Sequence, residues 1–517
     1  MKRMSINKRL EKFCVCVLWM LETAMFALLA LLNLRYSAHA DLQAGIQETI
    51  TYSLDSAILF GVALFCGCLI IWAIEKLCRR LSFKTMLLLS VMVTGIIGWW
   101  WMFHSGYDDR GDQHALFCSS WNMMENNFCD FEQGEYLFRW PFQLGFAACL
   151  ELLYRMFGGG NILPLTILNW AATVGIHSLL CQISGFLFGK KKTGKIHAIL
   201  MTGFLPGVLV INYLYGNTLG TFLGFLSLWL LLKWHYSFRW GWAVGSCLAM
   251  AFAILLKSFN LILLVAQLIF LGLVSLRRRT KAPVLVAAVM LVLVWAVGEG
   301  VDSVYRWRLG RELPQEPPKI LWIAMGMQDN WEGWRAPGWY NMYNYTVFEE
   351  SGFNSEEASR RAKKDIAARL REFVSDPAMA AEFYKLKTLS QWAEPTYQGF
   401  WISYDCLNLE KYDPKMQQIY LGAVGKAIER YMKWYQTAIW ILAAVCMIGR
   451  RKQMNLSRLL PGLIILGGFL FSFLWEGKSQ YTLPYFWLAT IYGAAGLEWV
   501  FQRISSMAGN CLDKQSE

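Results

Sequence analysis

Residues 106–117 read GYDDRGDQHALF, which puts Asp108, Asp109 and Asp112 within five positions. Carboxylates this close line a solvated loop, hold a cation, or include one general base whose proton affinity its like-charged neighbours tune. The segment follows an apolar run, 85–103, that ends in Trp99, Trp100 and Trp101. Tryptophans collect where a bilayer meets water. The acidic cluster is therefore expected at a membrane surface, and the surrounding elements decide which of the three roles it has.

The chain has 517 residues, 56% of them hydrophobic and 17% charged, against about 25% charged in a soluble domain. Uncharged runs of bilayer length recur, and lipid offers no partner to open backbone groups. The expected fold class is an all-α polytopic membrane protein. The net charge of +12 does not indicate nucleic acid. Lys and Arg fall in short clusters between the apolar runs, as they do at the cytoplasmic ends of membrane helices, and no aromatic-basic binding module is present. The 13 cysteines show no CxxC pairing. Cys118 and Cys129 share one loop, and spacing alone leaves a disulfide between them open. Residues 1–12 are basic, 13–34 are apolar, and SAHA at 37–40 is similar to a signal-peptidase site. The apolar run exceeds the usual secretory length of roughly 7–15 residues, so an uncleaved first helix is expected.

Membrane spans are expected at 13–34, 57–74, 85–103, 161–189, 239–256, 258–276, 282–298, 434–449, 459–475 and 481–497. Residues 198–232 supply two more: as one helix they would reach about 50 Å against a core of about 30 Å, and PG at 206–207 and YGN at 215–217 break them into a hairpin. That makes about twelve crossings with both chain ends cytoplasmic. Residues 138–157 contain Arg139, Glu151 and Arg155. A crossing there would leave KKKTGK, 190–195, on the outside, so the segment reads as an interfacial helix. Residues 299–433 hold roughly half of the acidic residues and no long apolar run. They are expected to form a mainly helical extracytoplasmic domain, in which Asn354 and Glu357 open a helix as a capping box and Glu356/Arg360 and Glu357/Arg361 pair along it. The domain plan is a transmembrane core over 1–298 with outer loop 104–137 and interfacial helix 138–157, the outer domain 299–433, and C-terminal helices with a short cytoplasmic tail over 434–517. On this topology the acidic loop, Arg139, Lys257, the outer domain and WEGKSQY (475–481) all reach the outer face.

The set of motifs along the chain resembles the GT-C membrane glycosyltransferases, specifically bacterial proteins related to protein O-mannosyltransferases and the lipid A aminoarabinose transferase. The resemblance rests on GDQHALF (111–117), YLFRWPFQLGF (136–146), FLPGVLVINYLYGNTLG (204–220), LLKSFNLI (255–262), PPKILWIAMGMQ (317–328), PGWYNMYN (337–344) and WEGKSQYTLPYF (475–486). Each is weak alone; their order and topology make the set specific, and it sits nearer to Gram-positive envelope enzymes than to the protein mannosyltransferases. The resemblance implies a GT-C-like bundle in a bacterial plasma membrane. It also implies a polyprenyl-phosphate sugar as donor and inverting transfer, on the outer face, to a hydroxyl of an envelope polymer such as a teichoic acid or wall polysaccharide. No cofactor is expected; three Asp residues can hold a divalent cation, but the close relatives generally need none for catalysis.

That chemistry needs a base for the acceptor hydroxyl, and Asp112 matches the family acid, with Asp109 beside it. It needs cations for the phosphate that departs, and Arg139, Lys257 and Lys478 are candidates. Snorkelling to lipid headgroups is the ordinary alternative for each. Gln143 lies in the interfacial motif. Glu476 orients Lys478 or touches sugar, and Tyr481 closes the late motif. Gln480 stands where the family often has an Arg before that tyrosine, which places more of the phosphate on Lys478. Trp339, Tyr340, Asn341, Tyr343 and Asn344 offer ring faces and amides to a sugar, or else form a membrane-surface aromatic belt. The competing functions are protein O-mannosylation, a lipid-linked sugar flippase, and a scaffold. A transporter should show repeated halves and ionisable residues at mid-bilayer. No repeat is visible, and most ionisable residues lie at span ends, Glu22 excepted.

Overall fold

The computed structural model describes residues 6–44, 47–106, 111–329, 335–406 and 411–513. Asp108 and Asp109 lie outside the described residues. The first half of the chain forms α1 (Ile6–Arg35), strands β1 (Tyr36–Ala40) and β2 (Ile50–Leu54), α2 (Ala57–Leu77), α3 (Phe83–His104), α4 (Gly111–Met124), α5 (Tyr136–Arg139), α6 (Leu144–Phe157), α7 (Leu163–Ser184) and α8 (Lys195–Thr202). Then come α9 (Pro206–Leu209), α10 (Asn217–Ser237), α11 (Trp240–Leu256), α12 (Asn260–Arg278) and α13 (Ala282–Leu309). Six shorter or amphipathic helices follow: α14 (Ile320–Gly326), α15 (Tyr343–Glu350), α16 (Ser355–Ser375), α17 (Pro377–Trp392), α18 (Gly399–Ser403) and α19 (Pro414–Tyr420). The chain ends with α20 (Ala423–Gly449), α21 (Leu456–Leu474) and α22 (Leu483–Asp513).

Eight helical stretches among the described residues are long and apolar enough to cross a membrane: those at 9–35, 57–77, 83–104, 163–202, 260–278, 282–309, 423–449 and 456–474. The 163–202 stretch is two arms. Gly189 breaks it at φ 126°, and the backbone returns so closely that a Cβ on Gly194 would lie 3.2 Å from Gly185 Cα. The expected KKKTGK turn is that reversal. Helices α10, α11 and α22 pack among these spans. The 198–232 run does break: α8 ends at Thr202, α9 is a single turn, and α10 restarts after Gly216. Helix α2 displays Ile58, Leu59, Phe65 and Leu77 outward, the last 86% exposed. In water such a face would aggregate; in lipid it is the expected surface. The bundle centre is closed by Phe26, Phe225, Trp440 and Tyr492, all fully buried. Glu22 is buried among them.

The interfacial segment is α5, a 3-10 turn at Pro141–Gln143, and α6. Glu151 inside it takes Arg155 at 2.7 Å and Arg308 at 2.8 Å, which satisfies a carboxylate that would otherwise be stranded. Asn354 caps α16 by accepting from the Glu356 and Glu357 amides at 2.9 and 3.0 Å. Glu357 alone bonds both Arg360 and Arg361. Positions 299 and 433 fall inside α13 and α20, so these helices run straight through the boundaries drawn from composition. The SAHA segment is strand β1, paired antiparallel with β2 in the register Ala38 to Tyr52. The Ala38 amide also bonds the Ala393 carbonyl at 3.2 Å, tying the hairpin to the end of α17. Cys118 and Cys129 are both exposed, and Cys118 Sγ lies 3.4 Å from His114 Nε2.

Candidate functional site

Asp112 occupies the first turn of α4, where unpaired backbone N–H groups favour a negative charge. The next residue, Gln113, is buried, and its Oε1 accepts the Leu214 amide at 2.7 Å. That bond pins the 213–216 turn against α4. Tyr215 then reaches across, and its hydroxyl donates to Asp112 Oδ2 at 3.1 Å. Gln143, from the turn before α6, donates its amide N–H to the same tyrosine hydroxyl. The Lys257 ammonium sits 3.3 Å from the Tyr215 ring centre, a cation–π contact. Two glycines permit this approach. Gly216 adopts φ 81°, and a Cβ there would stand 2.8 Å from the Leu256 carbonyl oxygen. A Cβ on Gly145 would stand 2.4 Å from the Leu255 carbonyl oxygen.

The second wall is the 475–482 loop between α21 and α22. Its backbone is held from below by Lys387 of α17, whose ammonium donates to the carbonyls of Gly326, Phe473 (3.0 Å) and Trp475 (2.8 Å). From the side, the Gly477 amide donates to the Gly338 carbonyl at 2.8 Å, and Trp339 and Gly477 form a parallel bridge. Ser479 donates to Glu394 at 2.7 Å. Two motifs 138 positions apart in the chain are thus one backbone unit. On it, Tyr481 donates to Glu476 Oε1 at 3.0 Å, and Lys478 pairs with Glu48 at 2.6 Å.

Asp112 stands close enough to act electrically on Lys257, Glu476, Lys478, Tyr481 and Tyr340. Burial lowers the Lys257 amine to about 7, a drop that Asp112 and Glu476 oppose. Burial also raises the Glu476 carboxyl to about 7 against the pull of Lys478. Burial works against a charge on Lys478, but Glu48 outweighs it and holds this amine above its ordinary value. One buried polar atom in this cluster, Glu476 Oε2, has no hydrogen-bond partner. Buried polar atoms are nearly always satisfied, and an orphaned carboxylate oxygen beside an acid and two lysines is what a polar ligand would fill.

The structure separates the remaining candidates. Arg139 stands at the rim, donating to the Gly134 carbonyl at 2.5 Å, with its guanidinium 4.6 Å from the Tyr345 ring centre. Its charge still acts on Tyr340. Trp339 is only 2% exposed, and its indole N–H bonds Ser390 at 2.9 Å, so it packs beneath the loop with no free ring face. Asn344 is buried, Asn341 bonds Gln328, and Tyr343 bonds Asp365. Of the expected aromatic strip, Tyr340 alone is acted on by both Asp112 and Glu476. Among the described residues, no three His, Cys, Asp or Glu side chains gather as a metal site.

Sequence reasoning passed over Glu48, Tyr215 and Lys387. Tyr215 was visible only as part of a turn. Glu48 precedes a strand that no apolar run announced. Lys387 looks like any lysine on an amphipathic helix.

The fold is that of a polytopic helical membrane protein, with its polar cluster at one end of the bundle. No family model matches the chain, and no curated protein matches it. Among solved structures, the chain is similar to the crystal structure of the Archaeoglobus fulgidus oligosaccharyltransferase in the apo form, at 12% identity and a TM-score of 0.45, covering 84% of this chain and 52% of that one. It is also similar to the archaeal oligosaccharyltransferase AglB from the same organism in complex with an inhibitory peptide and a dolichol-phosphate, at 12% identity and a TM-score of 0.43, with the same coverage. The chain spans about half the length of these structures.

Proposed function

We propose that the protein is a GT-C membrane glycosyltransferase that moves a sugar from a polyprenyl-phosphate donor to a hydroxyl of an envelope glycan on the extracytoplasmic side of a bacterial plasma membrane. The observation that supports this reading is the meeting of Asp112, Glu476, Lys257 and Lys478, with one buried oxygen of Glu476 left without a partner. Asp112 is the base. It takes the proton of the acceptor hydroxyl as that oxygen attacks the anomeric carbon from the face opposite the phosphate. The bond from the anomeric carbon to the phosphate oxygen breaks, and its electron pair stays on the phosphate. The products are a glycoside of inverted configuration and a polyprenyl phosphate. Lys257 and Lys478 stabilise the charge that gathers on the departing group, and Arg139 adds to their field from the rim. Tyr215 couples the two halves, since it holds Asp112 by its hydroxyl and Lys257 by its ring. The free Glu476 oxygen accepts a sugar hydroxyl.

The test is Asp112→Asn in reconstituted membranes, read by glycan analysis of envelope polymers supplied as acceptor. Removing a general base costs roughly 10²–10⁴ in rate. Transfer should fall by that factor while expression and the melting temperature stay unchanged, because Asp112 is exposed. Near-normal transfer removes Asp112 as base. Sugar appearing on protein side chains replaces the acceptor with a polypeptide. Donor translocation without transfer makes the protein a flippase.

A further inference from the structure

At the end of the bundle opposite the Asp112 cluster, a cavity of about 900 Å³ lies between the start of α1, the ends of α10 and α12, and the turn that precedes α21. Its walls carry Lys12, Arg277, Arg278 and Arg451 against one carboxylate, Glu11. Helix α12 alone separates the two places by about 28 Å at 1.5 Å per residue. Part of this charge is already answered. Arg277 pairs with Glu11 at 3.1 Å, and the Arg451 guanidinium lies 4.4 Å from the Trp19 ring centre. Part is not. Arg278 lies 4.3 Å from the Phe238 ring centre and spends Nη2 on the His235 carbonyl at 3.0 Å, but its Nη1 is buried with no acceptor. His235 is 5% exposed, lines the same cavity, and has a ring Nδ1 without a partner. Buried nitrogens left unpaired cost free energy that a ligand oxygen would recover. Val15, Trp19 and Leu456 give the cavity an apolar side.

We propose that this cavity binds the phosphate headgroup of an anionic phospholipid. The phosphodiester oxygens meet Arg278, His235 and Arg451, and an acyl chain follows Val15, Trp19 and Leu456. Basic pockets between membrane helices hold such headgroups. The apolar wall distinguishes a lipid from a free phosphate, which would leave that side unused. The inference is independent of the reading given for the Asp112 end.

The test uses the full-length protein in nanodiscs of phosphatidylcholine with or without phosphatidylglycerol, with retained lipid counted by native mass spectrometry. One phosphatidylglycerol should stay bound, at least tenfold more tightly than phosphatidylcholine. Arg278→Gln and Arg451→Gln should each bring that preference below threefold, and millimolar inorganic phosphate should not displace the lipid. Equal retention of both lipids overturns the proposal, as does an unchanged preference in both variants. Displacement by inorganic phosphate also overturns it, because the site would then recognise a free anion. If Arg278→Gln does not fold, Arg451→Gln and the two-lipid comparison on unmodified protein carry the test.

Discussion

Lys257 and Asp112 are 145 positions apart, yet one tyrosine serves both. Burial brings the Lys257 amine to about 7, so it is charged below neutrality and loses its charge as pH rises. With no anion bound, that sets an alkaline limb on kcat/KM, which reports ionisations of the free enzyme. Transfer by the native protein should decline as pH climbs through about 7. Lys257→Arg keeps its charge at any working pH and should flatten the limb while lowering the maximum, because a guanidinium does not repeat the 3.3 Å seat over Tyr215. A pH–rate profile of both proteins checks this, and an identical limb in the variant assigns it to another group. Asp112 was legible as a candidate from its residue type and motif. Its partner Tyr215 was not, because a tyrosine in a turn carries no mark of which carboxylate it will meet.

At the level of elements, the site depends on how closely the end of α11 approaches the start of α6. Gly145 sets that distance: a methyl group there would stand 2.4 Å from a backbone oxygen two residues before Lys257. Gly145→Ala must push the α11 end away, at a cost of about 1–3 kcal/mol by overpacking. It should lower the melting temperature and reduce transfer at least tenfold. Gly241→Ala, where nothing lies within 4 Å, should change neither. Equal behaviour of the two variants would show that the α6–α11 approach does not position Lys257. The aromatic strip gives the same lesson from the other side. Trp339 has the composition of a sugar platform, but the backbone bridge to Gly477 turns it inward onto Ser390. A residue's partners follow from which loop packs on which, and neither loop contains that information by itself.

For the whole molecule, the orientation expected from the Lys and Arg clusters is open to direct labelling. The best positions are exposed. Lys191 on the α7–α8 turn and Lys364 on α16 are exposed and suit replacement by cysteine, in a background with Cys118 and Cys129 changed to serine. An impermeant maleimide added to intact cells should label position 364 and spare position 191. The reversed pattern would put the Asp112 cluster in the cytoplasm and end the proposed reaction. The same result bears on the basic cavity, which lies at the end of the bundle that carries the 191 turn.

Run lengths, breaks and the spacing of Lys and Arg are local properties, and the bilayer reads them locally. The sequence by itself therefore determined a polytopic helical bundle, the reversal at 190–195, the break before Asn217, and the α16 cap at Asn354. Only the tertiary structure decided that Glu48 pairs with Lys478 and that Lys387 ties α21 to the 326 turn. It alone also left Arg278 Nη1 and His235 Nδ1 without partners at a shared cavity. Those are contacts between segments up to 430 positions apart. Their energies depend on burial and on who else is present, which no stretch of sequence states before the chain has packed.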